Sequence, residues 1–118
     1  MIADYYTYTL EEIEKINQLK NKPTQYITQL IDLFRNYIFH TTGIQSLHQT
    51  SNDVAIQLKK YYVDAEAYQK LKHHLSISDL VKFAKLTIST EELENIKKGI
   101  VEGIHTIQQI KQHTTNKE

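Results

Sequence analysis

Thr24 to Gly43, TQYITQLIDLFRNYIFHTTG, is the stretch whose reading decides the fold. Ile27, Leu30, Ile31, Phe34, Ile38 and Thr41 recur at helical spacing, and Tyr26, Leu33 and Tyr37 widen the apolar stripe along one flank. A helix apolar over more than half of its circumference must be covered on two sides, so this segment is expected to be the central, most buried element. Pro23 and Thr24 supply a start signal, and Gly43 supplies the left-handed residue that a helix end favours. Arg35 is the one strong charge near the buried side.

The segments on either side read as helices built to cover it. Residues 1–8, MIADYYTY, show no clear period and are taken as a lead-in. Thr9 is read as the cap of a helix over 9–20, with Leu10 and Ile13 in a narrow stripe and Glu11 and Glu12 in its first turn. Asn21-Lys22-Pro23 breaks that helix and makes an antiparallel pair with the central one, 24–41. Further helices are expected at 51–61, capped by Thr50 or Ser51, and at 65–75, capped by Asp64. A break near Ser76 to Ser78 would separate a short extra turn at 78–85. The last helix, 90–112, carries Leu93, Ile100 and Ile107 interleaved with Ile96, Gly103 and Ile110, with Ile104 widening the stripe. Residues 113–118 form a polar tail expected to fray. The fold class is therefore all-α: one domain over residues 1–118, a single compact bundle of about five helices.

Composition narrows the functional classes. At 118 residues the chain can bury a core without disulfides, and it has no cysteine, which excludes thiolate chemistry. Three glycines and one proline argue against a strand-and-turn architecture. Fourteen basic and fourteen acidic side chains balance, which removes the general electrostatic case for nucleic-acid binding. No apolar run reaches the ~18 residues that cross a bilayer, and the N-terminus lacks the pattern of a signal peptide.

The six histidines include no His-x-x-x-His pair, and His73 and His74 diverge by about 100° on a helix, so no metal site is expected. No glycine-rich phosphate loop or nucleophile turn is present, and the chain reads as non-enzymatic and without a cofactor. Four features remain as candidates. Arg35 and Asp79 have the residue types of a specific pair, because a guanidinium near an apolar face needs an acceptor. Lys59, Lys60, Lys70, Lys72, Lys82 and Lys85 form the one basic stretch, interleaved with Tyr61, Tyr62 and Tyr68; it reads as a solvated face or partner surface, with a small helical nucleic-acid module as the alternative. Gly99 and Gly103 make a G-x-x-x-G spacing, which serves either close packing within the chain or a homodimer seam. Tyr5, Tyr6 and Tyr8 would pack on the bundle end or sit at a membrane surface, beside Lys15, Lys20 and Lys22.

At LFRNYIFHTTGIQSLHQTSNDVAIQL, and again at SDLVKFAK, the sequence resembles the cytoplasmic domain that follows a transmembrane helix in BatD-like bacterial membrane proteins of the Bat aerotolerance type. The likeness runs over about residues 26 to 95 and rests on Phe34 to Ile38, Gly43-Ile44 through Thr50, and Asp79 to Lys85. Phe39, His48 and Ser78 depart from the family pattern, which has an acid, Glu and Ala there. The resemblance implies a helical domain on the cytoplasmic side of the inner membrane, anchored through a preceding membrane helix and engaging a protein partner. It carries over no catalytic residue.

Overall fold

Pro23 at the first helical position, Thr42 back-bonding to the Ile38 carbonyl and Gly43 at φ 80° delimit the helix around which the others pack. In the computed structural model, which describes the backbone of residues 4–117 and side chains through Lys111, this is α2, Pro23–Thr42. Before it come α1, Tyr5–Lys15, and a 3-10 turn, Ile16–Leu19; after it come α3, Ser51–Leu58, a second 3-10 turn, Lys59–Tyr61, then α4, Ala65–Ala84, and α5, Thr90–Lys117. Among the described residues the protein is an all-helical bundle of five α-helices.

The wide apolar stripe of α2 is covered by α1, α4 and α5. Tyr26, Ile27, Leu30, Phe34 and Ile38 have no exposed surface, and the buried stripe of α5 (Leu93, Ile96, Ile100, Ile104 and Ile107) closes on them. Two of the buried tyrosine tips are satisfied across helix pairs, the Tyr37 hydroxyl donating to Gln108 Oε1 at 2.6 Å and the Tyr68 hydroxyl to the Ala55 carbonyl at 2.8 Å, whereas the buried Tyr26 hydroxyl has no partner among the described residues. Burial pushes the Tyr37 and Tyr62 hydroxyls up to about 12 and raises Tyr26 further, because a phenolate loses its hydration there. At the start of α5, Lys20 pairs with Glu94 and Lys97 with Glu14 at 3.3 Å.

Three expected boundaries are corrected. The lead-in is helical from Tyr5, because Asp4 caps it, accepting from the Thr7 amide at 3.0 Å and the Thr7 hydroxyl at 2.7 Å. Thr9 is therefore an interior, buried residue and not a cap. Residues 65–84 form one helix without a break: the Ser78 hydroxyl donates to the His74 carbonyl at 2.7 Å, four residues back, and so stays within the helix. The last helix runs past 112 to Lys117, since nothing after Gln112 is a glycine or proline; residues 1–3 and 118, and the side chains of the tail, lie outside the described residues.

Candidate functional site

A helix that must carry an arginine beside its apolar face has to bring acceptors to it, and here they come from the loop after α2. Arg35 Nη1 donates to the carbonyls of Ser46 and Gln49, both at 2.6 Å, and Nη2 donates to Ser51 Oγ at 3.0 Å. In return the Ser46 hydroxyl donates to the Arg35 carbonyl at 2.6 Å. Charge-assisted bonds to backbone carbonyls fold residues 44–50 flat against α2 and satisfy a loop whose Ile44 and Ser46 are buried.

Asp79 joins this clamp without touching Arg35. Ser51, itself buried, accepts from Arg35 and donates to Asp79 Oδ1 at 2.8 Å, so a hydroxyl relays between the two charges. The direct pair expected from the sequence is corrected to a chain of three residues. Ser51 occupies the space between them because α3 begins there, with Thr50 as its cap. Chemically this is a positioning device. The serine hydroxyl already spends both its donor and an acceptor site inside the clamp.

The clamp forms one wall of a cleft of about 590 Å³ between α2, residues 47–51 and the second half of α4. Asp32 and Lys82 face each other across it at 3.9 Å. Phe83 stands at its rim 74% exposed, and Leu47 opposite it is 42% exposed. Beyond Phe83, Lys85 takes the left-handed conformation at φ 57°, and the Leu86 amide returns to the Leu80 carbonyl at 3.0 Å. That turn leaves Leu80 and Leu86 half-exposed at the same end of α4. The sequence signal for this patch was present in LVKFAKL: in an unbroken helix its apolar residues exceed what one buried face can take.

The six lysines are not gathered on one surface. Lys70 and Lys72 lie two residues apart on a continuous helix and so point about 160° from each other. Lys70 pairs with Glu66 at 3.6 Å beside the α4–α5 cleft, whereas Lys72 lines a small pocket against α3 with Ser51 and Asn52. Lys82 faces Asp32, Lys59 and Lys60 lie on the second 3-10 turn, and Lys85 ends α4.

Gly99 and Gly103 both meet neighbours within the chain. A Cβ on Gly99 would fall on the His74 imidazole, and one on Gly103 would lie 3.2 Å from the Tyr62 hydroxyl and 3.4 Å from Leu71 Cδ1. The spacing thus lets α5 approach α4. Among the other histidines, His40 stacks on Tyr5 at 4.2 Å, and Nδ1 of His105 is hydrogen-bonded to the Tyr6 hydroxyl, which places Tyr5 and Tyr6 against α2 and α5. Among the described residues, no cluster of three His, Asp or Glu side chains has metal-binding geometry, and no helix is long and apolar enough to cross a membrane. No protein-family model, curated protein or solved structure matches the chain.

Proposed function

We propose that this chain is a non-catalytic interaction domain, and that its partner docks in the cleft bounded by Phe83, Leu47 and the Arg35–Ser51–Asp79 clamp. The observation that carries the reading is Phe83, a large apolar side chain 74% exposed at the mouth of a cleft, flanked by further exposed leucines. Clustered exposed apolar surface of this kind is characteristic of interaction sites. The polar groups inside carry both signs, Asp32 and Asp79 against Lys82, with Arg35 Nη1 already taken by two carbonyls. This suits an amphipathic protein segment that covers Phe83 and Leu47 with apolar residues and meets the Asp32–Lys82 pair with uncharged polar groups. On the resemblance to BatD-like proteins, the partner would belong to the cytoplasmic side of a bacterial inner membrane; sequencing the full open reading frame for a membrane helix before Met1 tests that part separately.

The test compares capture of partner proteins by the wild-type domain, by Phe83→Asp and by Lys70→Glu, a charge reversal on a different face. A specific partner is lost with Phe83→Asp and retained with Lys70→Glu, at unchanged circular dichroism. Retention by Phe83→Asp contradicts the reading. The alternative, a nucleic-acid module using the Lys59 to Lys85 lysines, loses support from their dispersal over the second 3-10 turn and different faces of α4. It would require binding to duplex or single strands that falls steeply between two salt concentrations.

A further inference from the structure

We infer that a second cleft, between α1 and α2, is a binding site for a small neutral planar ring that carries one hydrogen-bonding edge. The site follows from how the first helix lies on the second. With α1 antiparallel to α2, the aromatic start of α1 meets the aromatic end of α2, and a cleft of about 440 Å³ opens between them. That volume is in the range of small-molecule sites. Its walls are the rings of Tyr5, Tyr8, Tyr37 and His40, with Leu33 and Asn36 completing it.

Three observations set the chemistry of the occupant. Shape comes first: four aromatic rings line the cleft, and two of them, Tyr5 and His40, hold each other flat by stacking, parallel to within 2° at 4.2 Å, so a flat occupant meets rings already held in place. Charge comes second. No Asp, Glu, Lys or Arg lines the cleft among the described residues, and Asp4, at the start of α1, has both carboxylate oxygens engaged by Thr7. A cation entering would lose hydration without gaining a counter-ion, which disfavours an alkylammonium group despite the aromatic walls, and an anion would find no Lys or Arg, only the His40 imidazole already stacked on Tyr5. The hydrogen-bonding edge comes third. Asn36 donates through Nδ2 to the Asp32 carbonyl at 2.9 Å, which fixes the amide and leaves its Oδ1 as an acceptor. The Tyr37 hydroxyl is held by Gln108, so Tyr37 contributes its ring.

Thr9 lies buried at the base of the same cleft, where a larger side chain would intrude on the space. This proposal is independent of the Phe83 cleft, which lies on the other side of α2's contacts, between the loop and α4.

The probes are indole, with benzoate and tetramethylammonium as anionic and cationic counterparts, titrated into the full chain and followed by proton–nitrogen NMR. Saturable shifts are expected at the Asn36 side-chain amide and at the amides of Tyr5, Tyr8 and His40, with the two ions weaker by about tenfold or more. Tyr8→Ala, which removes a half-exposed wall, should weaken indole by about fivefold with helicity unchanged. Thr9→Leu should abolish binding by filling the cleft; if it unfolds the chain, Tyr8→Ala decides. The proposal is overturned by non-saturating shifts, by shifts centred on Phe83 and Leu47, by tetramethylammonium binding as tightly as indole, or by Tyr8→Ala leaving the affinity intact.

Discussion

Arg35 makes three charge-assisted bonds, two of them to carbonyls of a loop folded onto α2. Arg35→Met keeps the aliphatic stem and removes the donors, and is expected to lower unfolding stability by about 2–3 kcal/mol in urea titration. Asp79→Asn should cost about 1 kcal/mol or less, since the amide oxygen still accepts from Ser51. Comparable losses for the two would mean that a direct Arg35–Asp79 attraction operates and that the relay through Ser51 is incidental. The need of Arg35 for an acceptor near Asp79 was legible from residue types alone. That the acceptors are two loop carbonyls and a serine was not, because a backbone carbonyl carries no mark in the sequence and Ser51 read equally well as a helix cap.

His74 connects the residue scale to pH. Burial, and secondarily the neighbouring His73, lower its pKa from the usual 6.5, so the fold prefers it neutral where it lies against Gly99. The unfolded chain then binds more protons below pH 6.5, and stability should be full above that pH and decline as pH falls below it. Denaturant midpoints across that range should slope for wild type and flatten for His74→Gln. The carboxylate of Glu94, lowered from 4.5 by the hydrogen bond from Lys20, contributes a separate loss only at lower pH.

At the scale of elements, α4 tests how far local signals can be trusted. Ser76, Ser78 and Asp79 have the composition of a helix stop followed by a cap, yet each side chain finds a role inside or beside a continuous helix: Ser78 bonds to His74, Asp79 reaches Ser51, and Ser76 lines the small pocket beside α3. Ser78→Pro is expected to destabilise by about 3 kcal/mol or more, as in any helix interior, whereas a true boundary would tolerate it. The elements with complete punctuation were legible. Helix α2 has Pro23 at one end and Gly43 at the other, and the apolar repeat of α5 gave its buried face residue by residue. Helix α1 was misplaced because its cap, Asp4, precedes a run of tyrosines and threonine with no hydrophobic period; those side chains are ordered by long-range partners, Tyr5 by His40 and Tyr6 by His105.

For the whole molecule, covering α2 on nearly all sides leaves Phe83 largely, and Leu80 and Leu86 partly, uncovered at the end of α4, and the clamp at Arg35 holds the loop that faces Phe83 across the cleft. The Phe83 cleft is in that sense a by-product of the way the bundle closes, and an available surface for a partner. The apolar excess of LVKFAKL signalled a patch but not its place, because a split of α4 into two short helices would have turned Phe83 elsewhere. The most direct measurement is amide hydrogen exchange on the domain alone and with a partner captured by the wild type but not by Phe83→Asp. The account predicts that added protection falls on residues 44–51 and 76–86 together. Protection confined to the polar face of α5 or to the region of Lys59, Lys60 and Lys70, with 76–86 unchanged, would contradict it.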